Sequence, residues 1–492
     1  MEPKVVVTIF KVRGSGENVL WQPEQHGSKT GHVKGIWIRL RIDRRRPTRD
    51  SKTMGRDSGG TMGKRIRSCL AAALLAGGLP ATAAYGQRVS PQEVQRGVTV
   101  ETRPRRDFDP LGVRLGGFRL EGFAETGLGY DSNVFGRKND VRSDAYGTES
   151  GNVSLESDWT RHAVGASASI DARQYFGHAE LNWTDWNLGG FGRYDIDSRT
   201  NVEARYRHYR EHLDVYNFDV QSAGIVRPVP YDSDEVQVTG TTRFNRFGLT
   251  GIGLYRTFRL EDIDVNEVRN FTSRNSFDTM IGAVAGSYAF APGRFITGVV
   301  RLQDISYIDD APRNPLNLAA VIPRDRDSFS WVALAGFEYD FDGVWAGRIG
   351  FGWQQRNYRG AQIKTLEGPA IEGRLSWSPS QLTTVTFNVA RTIEESIRVN
   401  AVSYQRTTGG VRVDHEFLRN VILGAEVRAD RREYDQPNGT ATDGVAQLNG
   451  RWLINRSLSV TGSYAYNRRI EASGGAEKYD RNLVQVRLRI AL

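Results

Sequence analysis

Apolar and polar residues alternate along most of this chain. In the last stretch, Arg481 to Leu492, the residues Val484, Val486, Leu488, Ile490 and Leu492 fall on one face and Gln485, Arg487 and Arg489 on the other. A period of two belongs to a strand with one apolar and one wet side. From Phe118 onward the same period recurs in runs of ten to sixteen residues divided by turn signals, about eighteen runs in all. Between Gly347 and Asn357, Ile349, Phe351 and Trp353 alternate with Arg348, Gln354 and Arg356; between Ala370 and Trp377, Ile371, Leu375 and Trp377 oppose Glu372 and Arg374. Between Asn420 and Asp430, Val421, Leu423, Ala425 and Val427 oppose Glu426, Arg428 and Asp430.

The links between runs alternate in length. Short turns fall at 158–161, 197–199, 244–247, 291–294, 340–343, 378–381, 417–420 and 454–457. Longer links fall at 131–146, 213–231, 261–275 and 308–326, with shorter ones near Gly360, Ser396, Gln436 and Gly474, and one unexpectedly short link at Phe176 to His178. Short turns on one side and long polar loops on the other are the asymmetry of outer-membrane barrels, turns periplasmic and loops extracellular. The pattern predicts an all-β fold, a transmembrane antiparallel up-and-down β-barrel of about 18 strands over residues 118–492. The strand ending at Leu492 fits the closing strand of such a barrel, although its last residue is not aromatic. Closure also removes the open edges that so many strands would otherwise present. A propeller would repeat a motif every 40 to 50 residues or so, and no such motif is present.

A charge facing hydrocarbon near the midplane costs roughly 2 to 4 kcal/mol, so the charged positions of the strands must point inward. The lumen-lining candidates are Arg348, Arg356, Glu372, Arg374, Arg412, Asp414, Glu426, Arg428, Asp430, Arg487 and Arg489. Trp183, Trp186, Tyr206, Trp331, Trp377, Tyr464 and Tyr466 are candidates for interfacial belts or for cross-strand packing.

Residues 62–86 read as a signal peptide: basic Lys64, Arg65 and Arg67, an apolar segment from Leu70 to Leu79, then Pro80 and small residues. Residues 1–61 are then an upstream start assigned too early, or an unstructured leader, and 87–117 a periplasmic N-terminal segment broken by Pro104 and Pro110. The formal charge of +9 belongs to the leader: residues 1–86 hold 16 of the 66 Lys and Arg and 6 of the 57 Asp and Glu, leaving 50 basic against 51 acidic residues. Nucleic acid is therefore excluded as a partner. The single Cys, Cys69, lies in the signal peptide, so disulfides and thiolate metal sites are excluded from the rest. No run of eighteen apolar residues exists, which excludes a helical membrane protein but not a barrel.

Thr102 to Phe118 (T-R-P-R-R-D-F-D-P-L-G-V-R-L-G-G-F), followed by Gly129 to Phe135 (G-Y-D-S-N-V-F), resembles the outer-membrane proteins called putative beta-barrel porin type 2, a family that includes proteins encoded in exopolysaccharide and capsule operons. Ser157 to His162, Leu382 to Thr386 and Asp414 to Leu423 resemble the same family. The resemblance implies a bacterial outer-membrane location and a pore involved in export of exopolysaccharide or capsular polysaccharide. It carries over no functional residues. The alternatives are a general small-solute porin and a non-conducting structural or adhesin-like barrel, with an outer-membrane hydrolase third.

No nucleophile elbow, P-loop, zinc spacing or dinucleotide fingerprint occurs, so no catalytic, cofactor-binding or metal-binding residue is assigned. His162, His178, His208, His212 and His415 are scattered singly. The acidic groups Asp131 with Asn133 and Asp140, Asp309 with Asp310, and Asp325 with Asp327 could ligate calcium, but read more simply as solvated loop charges near lipopolysaccharide. The partners expected are outer-membrane lipid and lipopolysaccharide, the barrel-insertion machinery acting on the C-terminal strand, and periplasmic polysaccharide-export proteins.

Overall fold

A computed structural model describes residues 99–492, apart from 266–267, 271, 310–312, 315–316, 322–324, 341–342, 399–400 and 474–475, together with two short strands, Phe10–Val12 and Gly35–Trp37, paired with each other. The expected signal peptide, and the expected leader apart from those two strands, lie outside the described residues, as does the start of the N-terminal segment.

Eighteen strands form the barrel: β1 Phe118–Asp131, β2 Asp144–Ser157, β3 Ala163–Tyr175, β4 Trp183–Asp195, β5 Asn201–Leu213, β6 Val229–Phe244, β7 Phe247–Leu260, β8 Phe277–Ala291 and β9 Arg294–Tyr307. The second half is β10 Ser328–Asp340, β11 Trp345–Tyr358, β12 Leu366–Ser380, β13 Thr383–Glu395, β14 Ser403–Leu418, β15 Val421–Asp435, β16 Asn438–Leu453, β17 Leu458–Ala472 and β18 Asp480–Ala491. Each pairs antiparallel with the next, and β18 closes onto β1 with Val486 opposite Leu128 and Leu488 opposite Thr126. The barrel is closed, all-β and antiparallel, with no free edge.

Period-two alternation explains the two faces. Val484, Val486, Leu488 and Ile490 lie outside, as do Leu423, Val427, Phe351 and Trp353, all exposed on the isolated barrel because their environment is lipid. A second band hugs the short turns: Phe244, Phe247 and Trp452 point outward there, and Trp345 stacks on Trp377 with centroids 5.5 Å apart. Outward tyrosines pass their hydroxyls to the neighbouring strand, Tyr206 donating to Asp234 Oδ1 at 2.7 Å and Tyr464 to Asn482 Oδ1 at 2.8 Å. Amphipathic rings with a satisfied polar tip suit a membrane interface. Val427 is 66% exposed near the middle of β15. Val427→Arg should therefore destabilise the barrel by ~2–4 kcal/mol in chemical denaturation in lipid vesicles. An unchanged midpoint would displace this face from the hydrocarbon.

The strands run 12 to 16 residues, more than the roughly 9–11 needed to cross a bilayer. The surplus makes a wall around the long-loop end, and hydrophobic cores form within it. One comprises Tyr209, Leu213, Val220, Phe258, Phe277 and Ile305 with their neighbours; another joins Phe218 to Ala401, Tyr404, Tyr434 and Ala441. Barrel interiors are usually wet, so a packed core here must come from loops turned inward.

Candidate functional site

The lumen has three levels. At the short-turn end the N-terminal segment lies against the inner wall. Val100, 1% exposed, donates its N–H to Thr384 Oγ1 at 3.0 Å; Arg103 and Arg105 reach Glu416 Oε2 at 3.4 and 3.0 Å; and Glu101 accepts from Arg412. Arg456 Nε donates to the Arg106 carbonyl at 3.0 Å, and Gly112 N to the Leu492 carbonyl at 3.3 Å. Gly112 has φ of +68°, and a Cβ there would come within 2.9 Å of the Leu120 carbonyl, so the exit bend at this point needs glycine. Glu416 is the common anchor of the two arginines. Glu416→Gln should raise trypsin cleavage after Arg105 several-fold in the folded barrel, because local opening governs access; equal cleavage would mean that the segment is held by other contacts.

Beside this segment lies a cavity of about 600 Å³, bounded by strands β5 to β12 and by short-turn residues such as Ser198, Asn245 and Gly343. Arg199, Arg243, Arg348 and Arg374 line it, with Glu101 and Glu338 among the acids. Arg348 sits directly opposite both Glu338 and Arg374 in the strand register.

The third level, toward the long loops, is dry and densely paired. Arg356 is 2% exposed, donates to Ser330 Oγ at 2.7 Å and is ion-paired with Glu395, which also accepts from Tyr307. Arg406 pairs with Asp430 and, at 3.3 Å, with Glu394; Arg432 reaches Asp443 at 3.0 Å, and Arg469 reaches the same carboxylate at 2.7 Å. Asp131, fully buried, is held by Arg481 through Nε at 3.0 Å and Nη2 at 2.5 Å and accepts the Tyr175 hydroxyl at 3.1 Å. A buried charge is tolerated only when paired and hydrogen-bonded, and here each of these arginines has a carboxylate.

The long loop between β5 and β6 caps this level. Its short helix α1, Phe218–Ser222, is capped by the Asn217 side chain, which accepts from Asp219 N at 2.9 Å. Asp219 then accepts from Ser396 Oγ at 2.8 Å, Ile397 N at 3.1 Å and the Tyr434 hydroxyl at 2.5 Å. Arg469 donates to Gln221 Oε1 and to the Tyr216 carbonyl, both at 2.6 Å, and Phe218 and Val220 are fully buried. Burial opposes ionisation of Asp214 at the loop's start, but the hydrogen bond and charge of His212 outweigh it and hold the carboxyl below the usual range. Burial pushes the Tyr216 phenol well above its ordinary value, so it stays neutral. The loop is thus a stopper tied to several separate parts of the wall.

The predicted lumen residues divide among these levels. Arg412, Asp414 and Glu426 form a cluster under the N-terminal segment, Arg412 reaching Asp414 at 2.9 Å and Glu426 at 3.9 Å. Arg348 and Arg374 border the cavity. Arg356 and Asp430 belong to the dry level, and Glu372 pairs with Arg301. Arg487 stands 3.6 Å from Glu125, and the Arg489 guanidinium lies over the Phe123 ring at 3.1 Å. Arg428 lies across from Gly410 on the inner face, with no ion-pair partner among the described residues. Sequence reasoning missed Arg406, Arg432, Arg469 and Arg481, although Arg432 shares the parity of Arg428, and Arg481 that of Arg487. It also missed the inward loop, whose signal was its apolar content: Val215, Tyr216, Phe218, Val220, Ile225 and Val226. The reading of Asp131 as a solvated loop charge is corrected: it ends β1, faces inward and is spent on Arg481. Asp327 likewise accepts from Arg359 at 2.9 Å and from Tyr307 N at 2.8 Å.

Residues 105–492 match the family described as Putative beta-barrel porin 2. None of the curated proteins compared with the chain matches it. Among solved structures it is similar to the outer membrane protein opdK from Pseudomonas aeruginosa, with 11% identity over 76% of this chain and 99% of that one and a TM-score of 0.41. A BenF-like porin from Pseudomonas fluorescens Pf-5 gives 12% identity over 77% and 100%, TM-score 0.43. The siderophore receptor PirA from Acinetobacter baumannii gives 6% over 77% and 81%, TM-score 0.43.

Proposed function

Because the chain belongs to the Putative beta-barrel porin 2 family and is therefore an outer-membrane β-barrel, porin-like protein, we propose that it is a gated conduit for export of an exopolysaccharide or capsular polysaccharide. The observation that carries this reading is the asymmetry of the lumen. A cavity lined by Arg199, Arg243, Arg348 and Arg374 lies at the short-turn end, where a polymer would enter from the periplasm, while a stopper closes the other end. Guanidinium groups give strong, directional hydrogen bonds to carboxylates and phosphates. Glu338 and Glu101 keep the field mixed, so that each contact is weak enough to release.

In this reading the N-terminal segment, held by Glu416 and Arg412, is where a periplasmic export protein would engage, and β18 is the handle for the insertion machinery. Lipid and lipopolysaccharide surround the outward face. The stopper argues against a general small-solute porin, which needs a standing opening. It favours, as second reading, a non-conducting structural barrel, since fully buried Phe218 and Val220 make a seal rather than a constriction.

The test uses proteoliposomes loaded with fluorescent anionic oligosaccharide, carrying either the wild-type barrel or one whose loop residues 215–227 are replaced by a short Gly-Ser link. Efflux through the loop-replaced barrel, with little through the wild type, supports the conduit. A folded, loop-replaced barrel that passes ions but no glycan sinks export, and one that passes neither supports the structural reading.

A further inference from the structure

The arginines of this barrel fall into two populations. In the dry level most are matched to a carboxylate, Arg356 to Glu395, Arg406 to Asp430, Arg432 and Arg469 to Asp443, Arg481 to Asp131, while Arg326 donates to Asn275 Oδ1 and to backbone carbonyls. Around the cavity three arginines go unmatched. Arg199, Arg243 and Arg374 are exposed to it, and none has an ion-pair partner among the described residues. Arg374 also faces Arg348 across β11 and β12, with a single carboxylate, Glu338, in the same row. Of the other acids lining the cavity, Asp340 lies two residues along from Glu338, and Glu101 of the N-terminal segment is already committed to Arg412.

The geometry points to a binding site for a carboxylate-bearing glycan in this cavity, with Arg243 and Arg374 as the carboxylate contacts and Arg199 at the rim. The inference rests on the export reading for the glycan, and adds its charge class and its place. The cavity, about 600 Å³, falls within the 300–1,000 Å³ or so that small-ligand sites occupy, so it holds a few sugar units of a longer chain. Arginine forks match carboxylates in bidentate fashion. Water in the cavity screens each contact, giving fast release instead of tight capture.

The test measures binding of hexagalacturonate, neutral maltohexaose and inorganic phosphate to the detergent-solubilised barrel by calorimetry. The variants are the Arg243→Gln/Arg374→Gln double substitution and, as control, Arg114→Gln on the hairpin outside the cavity, where Arg114 pairs with Asp158. Folding is verified by heat-modifiable gel mobility. Hexagalacturonate should bind, maltohexaose should not, and the double variant should lose at least tenfold in affinity while Arg114→Gln loses none. Equal affinity in the double variant, equal binding of maltohexaose, or phosphate competing as well as the hexamer each overturns the site. Combining the double variant with the loop-replaced barrel separates the two readings. Binding that depends on the arginines without any glycan efflux keeps the site and removes export; undiminished efflux through the arginine variant keeps export and removes the site.

Discussion

Replacing residues 215–227 by a short Gly-Ser link should turn a nearly silent barrel into one with at least tenfold greater single-channel conductance in a planar bilayer. Barrels of sixteen to eighteen strands enclose an aqueous channel unless something fills it, and here the loop between β5 and β6 is the centre of the filling at the long-loop end, joined by Ile263, Ile397 and Ala401 of neighbouring links. Phe218 packs with Ala401, Tyr404 and Tyr434, and Val220 with Leu213, Phe258 and Phe277. Taking the loop away strips Val220 and Ile225 from one apolar core and Phe218 from the other, and lets water reach the wall arginines. A milder variant, Asp219→Ala, deletes the acceptor of three hydrogen bonds from Ser396, Ile397 and Tyr434. Hydrogen bonds to a charged group contribute about 1.5–3 kcal/mol each, so this barrel should show intermittent openings while keeping its heat-modifiable mobility. If the loop-replaced barrel folds and still conducts nothing, the loop is not what seals the barrel and the non-conducting structural reading gains.

The strands were legible because a membrane barrel imposes a strict rule on sequence: every second residue meets lipid. That rule gave eighteen strands and all eight short turns, and it set Arg348 and Arg356 against Ile349 and Phe351. It is silent about anything that is not a strand. The helix α1 and its loop obey no alternation, and their only mark was an apolar content too high for a solvated loop. The ion pairs were half legible. Parity says that Arg432 and Arg481 face inward, but a partner such as Asp443 or Asp131 depends on strand tilt and register, which one sequence does not state. Asp131 shows the difficulty: Ser132 and Asn133 after it read as a turn, yet strand β1 runs to Asp131 and closure brings Arg481 against it. The cavity arginines needed the opposite information, that Arg374 makes no ion pair among the described residues, and that is a property of the folded barrel alone.

The Asp131–Arg481 pair should also yield the largest single-site loss of stability. Both side chains are at most 3% exposed, and the pair spans the closing seam between β1 and β18. Arg481→Ala leaves a carboxylate in a water-poor pocket with only the Tyr175 hydroxyl and the N–H of Asn133 as donors. Orphaning one member of such a pair costs about 3–5 kcal/mol. Urea denaturation in detergent should show this as a large fall in midpoint. The double variant Asp131→Leu/Arg481→Met removes both charges and should recover most of the loss, since an apolar pair of similar volume escapes the desolvation penalty. The same substitution reaches the stopper, because the Arg481 guanidinium lies 3.9 Å from the Tyr216 ring centroid. Arg481→Ala should therefore open the channel more often than it unfolds the barrel, and the double variant should restore stability without restoring the seal, because methionine carries no charge for the ring. If the double variant is as unstable as the single, the charge pair is not what closes the seam, and the packing of Leu483 and Val484 against β1 must carry it instead.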